Sequence, residues 1–463
     1  MILIQGCSIL PMTDNAILIR DGAILIDGRR LTYVGPYTGL PPLPEGEPRQ
    51  VIAAGGLVAM PGLINAHLHM ALNFTKGFVE DLDFKDILFE VLYPAEASLD
   101  ETEVYYSALV GGLETLKQGA TTVIDQYHHG PINARVVTEL GVRAELSLMA
   151  QDFDLRYPPA RNPSSGWIET FNPDYGLREL EENLRLARQQ ADTPESRIRW
   201  RLGVNSPDTV SEETLREASR LAHREGLGVH IHLAQSQMER EHSRRRWNKT
   251  SVGFLDEIGL LDVNLMAAHC TVLTDEDVQL LARSQAVIAH CPISNAKGGP
   301  VIAPIPALLE QGANIALGSD ATPSDMFEVT RCAAMIHKTT TGLTTTLPAL
   351  QALRLATIDG ARAIGRADEL GSLEAGKLAD VILLDIYQPH LQPFYAPAST
   401  LVYNAHGTDV RWVIVDGQVV VRDGQHEWID EARVLEDYSH LAESLWKRVG
   451  FDAVASRRAG RSV

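Results

Sequence analysis

Two histidines stand two residues apart near the end of an apolar run, 61–70, and their spacing suits metal chemistry. Side chains at positions i and i+2 of a β-strand point to the same face. If that face is the inside of a barrel, His67 and His69 are directed at one spot, where their ring nitrogens could hold a single divalent metal. A complete site needs further ligands from other parts of the chain.

Seven more short apolar runs follow, separated by segments with the 3.6-residue period of helices, such as 100–117 with Asp100 as its N-cap. With 63–70 they make eight candidate strands, the other seven being 121–126, 143–148, 199–204, 228–234, 265–270, 286–291 and 314–320. Several of these strands end in residues that bind metals or transfer protons, namely His232, His269, His290 and Asp320. Strand ends therefore could supply the missing ligands.

Eight strands that alternate with helices predict an α/β fold of the (β/α)8 TIM-barrel type, whose reactive groups lie at the carboxyl ends of the strands. The β-branched runs and turn dipeptides near both chain ends predict hairpins instead. We expect residues 1–60 and 371–430 to combine into a small β-sandwich domain and residues 61–370 to form the barrel. Residues 431–463 are expected to form a C-terminal helix and tail.

The composition limits the classes of partner. Lys and Arg number 41 against 60 Asp and Glu, and the formal net charge of −19 argues against nucleic acid and anionic membranes as partners. No apolar run approaches the roughly 20 residues of a membrane helix, and the first residues lack the basic region of a signal peptide. The four cysteines show no CxxC spacing, so reduced thiols in a cytoplasm are the simplest expectation.

Several motifs resemble those of the amidohydrolase superfamily, and the resemblance covers nearly the whole chain. They are the segments 61–69, 232–234, 268–270, 318–320 and 371–380. Within the superfamily, the segments 80–82, 91–96, 290–295 and 357–361 are most similar to the adenosine-type aminohydrolases, which act on S-adenosylhomocysteine or methylthioadenosine, and to the triazine-type aminohydrolases.

The resemblance implies that His67, His69, His232 and Asp320 bind one divalent metal, most often zinc and sometimes iron. Three neutral imidazoles and a carboxylate leave room for a water, whose pKa the cation lowers. Asp320 would accept the proton of that water, and His269 would polarise the substituent on the attacked carbon or assist the proton transfer. No lysine stands at the end of strand 4, where binuclear relatives carry a bridging group, so one metal is expected. The resemblance also suggests a homo-oligomer.

Gln235 departs from the family pattern, because related deaminases carry a glutamate three residues after the strand-5 histidine. That glutamate protonates a ring nitrogen and then the leaving group, whereas a carboxamide cannot transfer protons. Loss of a general acid typically costs about 10² to 10⁴ in rate. Three interpretations follow: a leaving group that needs no acid, an acid role for His269, or an inactivating change at Gln235.

The residues expected to contact the substrate indicate two different substrate classes. Glu96 matches the residue that binds ribose hydroxyls in the adenosine-type enzymes, but Asn205 and Leu148 stand where those enzymes have a histidine and an arginine. A smaller heterocycle, such as a triazine, a pterin or a free base, therefore stays open beside a nucleoside. His290 is either part of the pocket wall or a support for the turn at 294–295, and Ser324 is assigned to substrate because it follows Asp320 by four residues.

The leading functional hypothesis is hydrolytic deamination of an aromatic nitrogen heterocycle, such as a purine, pterin, pyrimidine or triazine. Metal-activated hydroxide would attack the ring carbon that bears the amino group, and ammonia would leave. One alternative is displacement of chloride or an alkylamine from a triazine, or opening of a cyclic amide. The alternative from another class is a catalytically silent protein that binds a metal or a small ligand.

Overall fold

The computed structural model describes residues 1–14, 17–43, 50–157, 168, 170–191, 196–299, 301–321 and 324–451. The N-terminal part forms strands, as its β-branched runs predict. These are β1 (Ile2–Ile9), β2 (Ile19–Asp27), β3 (Arg30–Pro36), β4 (Gln50–Ala53) and β5 (Leu57–Pro61). β1 pairs antiparallel with β2 and parallel with β4 and β5, and β2 pairs antiparallel with β3.

The next strands in the described part of the chain are parallel, and they confirm the eight predicted positions. They are β6 (Leu63–Leu68), β7 (Ala120–Gln126), β8 (Arg143–Ser147), β9 (Ile198–Trp200), β10 (Leu202–Val204), β11 (Val229–Leu233), β12 (Leu265–His269), β13 (Val287–His290) and β14 (Asn314–Leu317). The predicted strand 199–204 is divided at Arg201, where pairing with β8 gives way to pairing with β11. The last strand ends at Leu317, so Asp320 lies in the following loop.

These strands form two parallel sheets in chain order, β6 to β9 and β10 to β14. Isolated bridges join the sheets at both edges, Leu68 with Asp320 and Ala150 with Val204. Every residue of β6, β7, β8, β11, β12 and β13 is buried, which is typical of parallel strands covered by helices. The fold is therefore mixed α/β, and the carboxyl ends of neighbouring strands lie at the same edge.

Helices connect the strands. They are α1 (Phe84–Asp86), α2 (Tyr93–Glu96), α3 (Glu101–Lys117), α4 (Gly130–Leu140), α5 (Pro173–Ala191), α6 (Glu212–Glu225), α7 (Gln237–Trp247), α8 (Ser251–Glu257), α9 (Asp275–Arg283), α10 (Pro292–Gly298), α11 (Ile305–Glu310), α12 (Met326–Thr341), α13 (Ala349–Leu355), α14 (Ile358–Ala363), α15 (Pro397–Asn404) and α16 (Glu431–Val449). Asp100 caps α3 as predicted, because its carboxylate accepts the backbone N–H of Glu103 at 2.9 Å. In the described residues, no helix is both long and apolar enough to span a bilayer.

The C-terminal strands join the N-terminal ones in a single sheet. They are β15 (Val381–Asp385), β16 (Val410–Val415), β17 (Gln418–Arg422) and β18 (Gln425–His426). The order is β18-β17-β16-β15-β5-β1-β2-β3, with β4 beside β1. The two chain ends therefore pair as expected. A sandwich needs two sheets packed face to face, and these strands form one sheet, so the sandwich arrangement stays a prediction. The predicted C-terminal helix is α16, and residues 452–463 of the predicted tail lie outside the described residues.

A buried ion-pair network ties β8 to this nine-stranded sheet. Arg143 is 1% exposed and donates from Nε and Nη2 to the two carboxylate oxygens of Asp380, both at 2.9 Å. The same Nη2 donates to Asp416 at 3.0 Å. Asp416 also pairs with Nε of Arg29 at 2.7 Å, so two guanidinium groups balance two carboxylates that are largely removed from water.

We expect Arg143→Met to lower the free energy of unfolding by about 3–5 kcal/mol, because the buried carboxylate of Asp380 loses its counter-charge. Urea unfolding monitored by circular dichroism measures the change. Arg185→Met is the matched control, since Arg185 is 50% exposed and pairs with Glu182 on the surface of one helix. The control should change stability by less than about 1 kcal/mol. Equal losses in both variants would contradict the role assigned to Arg143.

Candidate active site

Three imidazoles and one carboxylate converge where the two parallel sheets meet. His67 lies on β6, His69 is the first residue after β6, and His232 lies on β11. The Nε2 atoms of His69 and His232 are 3.1 Å apart. Oδ1 of Asp320 lies 3.6 Å from Nε2 of His67 and 3.4 Å from Nε2 of His69. The structure thus brings together the four residues that the sequence analysis assigned to the metal.

The hydrogen bonds of the imidazoles leave their Nε2 lone pairs free. Nδ1 of His69 lies 2.6 Å from the carbonyl oxygen of Gln126, and Nδ1 of His232 lies 2.7 Å from that of Asn205. A carbonyl oxygen only accepts, so each Nδ1 carries the hydrogen. Metal-binding histidines are held in this way, with one nitrogen donating to a carbonyl and the other available to the metal.

The site fits a divalent cation. Nδ1 carries the hydrogen in both His69 and His232, so their Nε2 atoms face each other at 3.1 Å, an arrangement that a cation beside both would stabilise. Nδ1 of His67 lies 2.8 Å from Nε2 of His230, whereas its own Nε2 is buried with no hydrogen-bond partner among the described residues. Three nitrogens and one carboxylate oxygen form a ligand set typical of zinc or iron.

Burial favours the neutral forms of His67 and His232. It lowers the pKa of His67 to about 4 and the pKa of His232 well below its ordinary value. Burial by itself would raise the pKa of Asp320, but the adjacent His67, His269 and His69 outweigh it, and the pKa lies well below its usual range. Neutral imidazoles and an ionised carboxylate are the forms that bind metals.

The loop after β14 is fixed against β6, and this places Asp320. The backbone N–H of Asp320 donates to the carbonyl of His67 at 2.9 Å, and that of Ser319 donates to Oδ1 of Asn65 at 3.0 Å. A Cβ on Gly318 would come within 2.9 Å of Cβ of His67, so only glycine permits the close approach. Asp320 itself has a φ of 64°, a conformation that side chains rarely adopt.

His269 stands beside the same carboxylate. Its Nδ1 donates to Oδ1 of Asn295 at 2.8 Å, and its Nε2 lies 3.9 Å from Oδ2 of Asp320. The hydroxyl of Ser294 donates to the same Oδ2. His269 therefore presents an Nε2 lone pair close to Asp320, and Ser294 and Asn295 orient the two groups.

The cluster forms part of the wall of a cavity of about 330 Å³. Its polar lining includes His69, His232, His269, Asp320 and Gln235. Much of the remaining wall is apolar and comes from one segment, in which Phe84, Ile87, Leu88, Phe89 and Leu92 line the cavity. A cavity of this size, apolar with a few converging polar groups, suits a small organic ligand.

Comparison with known proteins gives the family. Residues 58–420 match the sequence pattern of the amidohydrolase family. The chain belongs to the amidohydrolase family. A 5'-deoxyadenosine deaminase from Methanosarcina acetivorans is 36% identical over 96% of this chain and 99% of its own length. A 5-methylthioadenosine/S-adenosylhomocysteine deaminase from Moorella thermoacetica is 38% identical over 96% of this chain and 99% of its own.

Solved structures share the fold of this amidohydrolase. An adenosine deaminase from Xanthomonas campestris with bound zinc has a TM-score of 0.86 and 26% sequence identity, over 96% of this chain and 98% of its own. An atrazine chlorohydrolase from Arthrobacter aurescens complexed with zinc has a TM-score of 0.83 and 24% identity, over 96% of this chain and 100% of its own.

Glu96 of this amidohydrolase lines the cavity at the end of α2 and is 8% exposed. Burial raises the pKa of its carboxyl, while His128, His69 and the hydroxyl of Tyr127 act in the opposite direction. His128 is held in turn by Glu179, at 3.7 Å between Nδ1 and Oε1. Tyr127 and His128 thus hold a carboxylate that faces the cavity, and neither was assigned this role from the sequence.

Gln235 lines the cavity beside His232, so the departure from the family pattern lies inside the site. Its backbone N–H donates to Oε2 of Glu239 at 2.8 Å, and its carbonyl accepts from Oγ1 of Thr271 at 2.9 Å. Burial and the charge of Asp208 raise the pKa of Glu239 to about 8. Glu239 therefore holds the backbone at Gln235 but is not itself among the cavity-lining residues.

Asn205 lines the cavity as expected, and its Nδ2 donates to Oε1 of Gln151 at 3.0 Å. Two other residues assigned to substrate do not line the described cavity. Nε2 of His290 faces Nε2 of His337 on α12 at 3.0 Å, so this fully buried ring supports the structure. Ser324 is 4% exposed, and its carbonyl oxygen faces Thr115 of α3. The geometry thus favours the supporting role of His290, one of the two roles predicted for it, and it gives no support to a substrate contact by Ser324.

Proposed function

We propose that this amidohydrolase hydrolyses the bond between the ring carbon and the amino nitrogen of an adenosine-type heterocycle and releases ammonia. The observation that carries the proposal is the convergence of three histidine Nε2 atoms with Asp320 beside His269, at the wall of a cavity fit for a small molecule. The names of the relatives, which are deaminases of 5'-deoxyadenosine and of methylthioadenosine or S-adenosylhomocysteine, support the substrate class.

His67, His69, His232 and Asp320 would hold one metal, with zinc as the leading choice and iron as the alternative. When bound, such a metal supplies an activated water near neutral pH, because it lowers the pKa of that water. The backbone carbonyls of Gln126 and Asn205 orient His69 and His232 for this role. We further propose that β6 to β14 close as a (β/α)8 barrel, as the bridges at both sheet edges favour.

Asp320 would accept a proton from the attacking water, because its carboxylate stays ionised and lies between the imidazoles and His269. His269 would bind the substituent on the attacked carbon through Nε2, since Asn295 holds its Nδ1. The water oxygen forms the new bond to the ring carbon, and the bond from that carbon to the amino nitrogen breaks. The departing nitrogen takes up the proton that Asp320 accepted from the water, either directly or through Nε2 of His269.

Gln235 and Glu96 would bind the substrate. The carboxamide of Gln235 can donate a hydrogen bond to a ring nitrogen, although it cannot transfer a proton. The buried carboxylate of Glu96 accepts hydrogen bonds, which suits hydroxyl groups on a sugar. Residues 1–60 with 371–430 are proposed as a separate small β-domain that supports the barrel. The homo-oligomer and the cytoplasmic location stay predictions.

An ammonia-release assay tests the proposed function. Metal-replete protein should release ammonia from at least one of 5'-deoxyadenosine, methylthioadenosine and S-adenosylhomocysteine, and treatment with a chelator should abolish the release. Readdition of zinc should restore it. Silence on these compounds and on free purines, pterins, pyrimidines and aminotriazines would refute deamination.

Gln235 favours one second candidate, the displacement of a leaving group that needs no proton, such as chloride from a triazine ring. The carboxamide in the cavity would then be sufficient, because chloride departs as a stable anion. Chloride release without ammonia release from a chlorinated aminotriazine would establish this alternative over deamination.

A further inference from the structure

Asp208 is a cavity-lining carboxylate with no task in the mechanism above. It lies in the loop between β10 and α6, lines the same cavity as Gln235 and is 8% exposed. Its Oδ1 accepts a hydrogen bond from Oγ of Ser206 at 2.6 Å. Among the described residues, no side chain donates a hydrogen bond to its Oδ2, and no lysine or arginine nitrogen lies within ion-pair distance of it. One carboxylate oxygen is therefore available to a ligand.

Arg246 is near Asp208 but is occupied elsewhere. Burial raises the pKa of Asp208, and the charge of Arg246 acts against this. However, Nη1 of Arg246 donates to the carbonyl of Pro207 at 2.8 Å, and its guanidinium lies over the rings of Phe171 and Trp247 at 4.7 and 4.3 Å. Arg246 is not among the cavity-lining residues.

A second buried carboxyl group, that of Glu96, lines the same cavity. Tyr93 lines the cavity, and besides burial, the charges of Asp208 and Glu96 both raise the pKa of its hydroxyl, so the three groups are neighbours. Lys297 is the single ammonium or guanidinium group among the described lining residues, and its Nζ contacts Oε1 of Glu80 at 2.6 Å. The wall around Tyr93 therefore carries two carboxyl groups, and among the described lining residues the paired Lys297 is the one ammonium or guanidinium group, which favours cationic ligand groups over anionic ones.

We infer that Asp208 is a specificity-determining residue that accepts a hydrogen bond from a protonated amino group on the substrate's substituent, remote from the reacting carbon. The enzyme then prefers a cationic substituent to a neutral one and disfavours a substituent whose only charge is a carboxylate, whereas the amino-acid end of S-adenosylhomocysteine also supplies a protonated amino group. This inference rests on the proposed function, since it assumes that the heterocycle binds in this cavity with its amino-bearing carbon at the metal ligands.

Three probes that differ only at the 5' position test the inference: adenosine, 5'-amino-5'-deoxyadenosine and adenosine-5'-carboxylate. With metal-replete protein near neutral pH, kcat/KM for ammonia release should be about tenfold higher for the amine than for adenosine, because a hydrogen bond to a buried charge is worth about that factor. The carboxylate should be about tenfold poorer than adenosine.

Asp208→Asn keeps the shape of the side chain and removes its charge. It should reduce the ratio of kcat/KM between the amine and adenosine by about tenfold. Glu212→Gln is the matched control, because Glu212 is an exposed carboxylate at the start of the helix that follows the same loop. The control should leave the ratio unchanged.

A ratio that moves by less than about twofold in Asp208→Asn, or a wild-type enzyme that prefers the carboxylate, overturns the inference. If Asp208→Asn does not fold, the ranking of the three probes in the wild-type protein decides. Ammonia release at equal rates from all three refutes the inference alone. Silence on all three, together with silence on 5'-deoxyadenosine, methylthioadenosine and S-adenosylhomocysteine, contradicts the proposed function. Calorimetric Kd values for the three probes then still test whether Asp208 selects by charge.

Discussion

Asp320→Asn should lower kcat/KM for ammonia release by about 10³- to 10⁴-fold, because the carboxylate that accepts the proton of the attacking water is lost. The same change removes the single anionic ligand of the proposed metal, so metal content should also fall. Asparagine is close in shape to aspartate, and the backbone hydrogen bond from this residue to the carbonyl of His67 does not depend on the side chain. The fold should therefore remain.

Metal content measured by elemental analysis, together with initial rates of ammonia release, checks this expectation. Asp385→Asn is the matched control, because Asp385 ends β15 and bonds to Tyr387 and Gln388, away from the cavity. The control should keep both metal and activity. An Asp320→Asn enzyme with full metal content and undiminished turnover would remove Asp320 from the mechanism.

Gln235→Glu should raise kcat for deamination by about 10²-fold, since it introduces a general acid at a position that faces the cavity. The replacement fits because the backbone of residue 235 is held by Glu239 and Thr271, and the two side chains have the same shape. The gain should fade as pH rises through the pKa of the new carboxyl, because the acid acts in its protonated form. A pH profile of kcat measures both effects.

Gln285→Glu provides the matched control, since Gln285 is exposed and lies before β13, away from the cavity. It should leave the rate unchanged. Turnover that appears only in Gln235→Glu would mean that the parent chain is a silent binding protein. A slower Gln235→Glu enzyme would contradict the expectation and would show that the carboxamide itself binds the reacting substrate.

The sequence predicted the parallel strands and four convergent ligands, because apolar runs and two-residue spacing are local features. It could not place His290 or Ser324, since the direction of a side chain beyond a strand end depends on distant partners. His290 turns to His337, which is 47 positions away along the chain.

The sequence likewise did not indicate a role for Asp208 in substrate specificity, because that role depends on Tyr93 and Glu96 lying beside it. The loop that carries Asp320 shows the same limit. Its position is fixed by hydrogen bonds to Asn65 and His67, which lie far away in sequence. A local pattern can predict that such a residue ends a strand, but it cannot predict which distant backbone group holds it.

The hydrogen bond between Asn65 and Ser319 spans 254 positions of the chain. It lies next to the contact between Leu68 and Asp320, so the first of the parallel strands and the loop after the last one carry proposed ligands of one metal site. During synthesis, the ligand set therefore stays incomplete until the ribosome has released the chain beyond Asp320. A metal captured then would cross-link the ends of a very long loop, and the free energy that opposes reopening would rise with the logarithm of the free metal concentration.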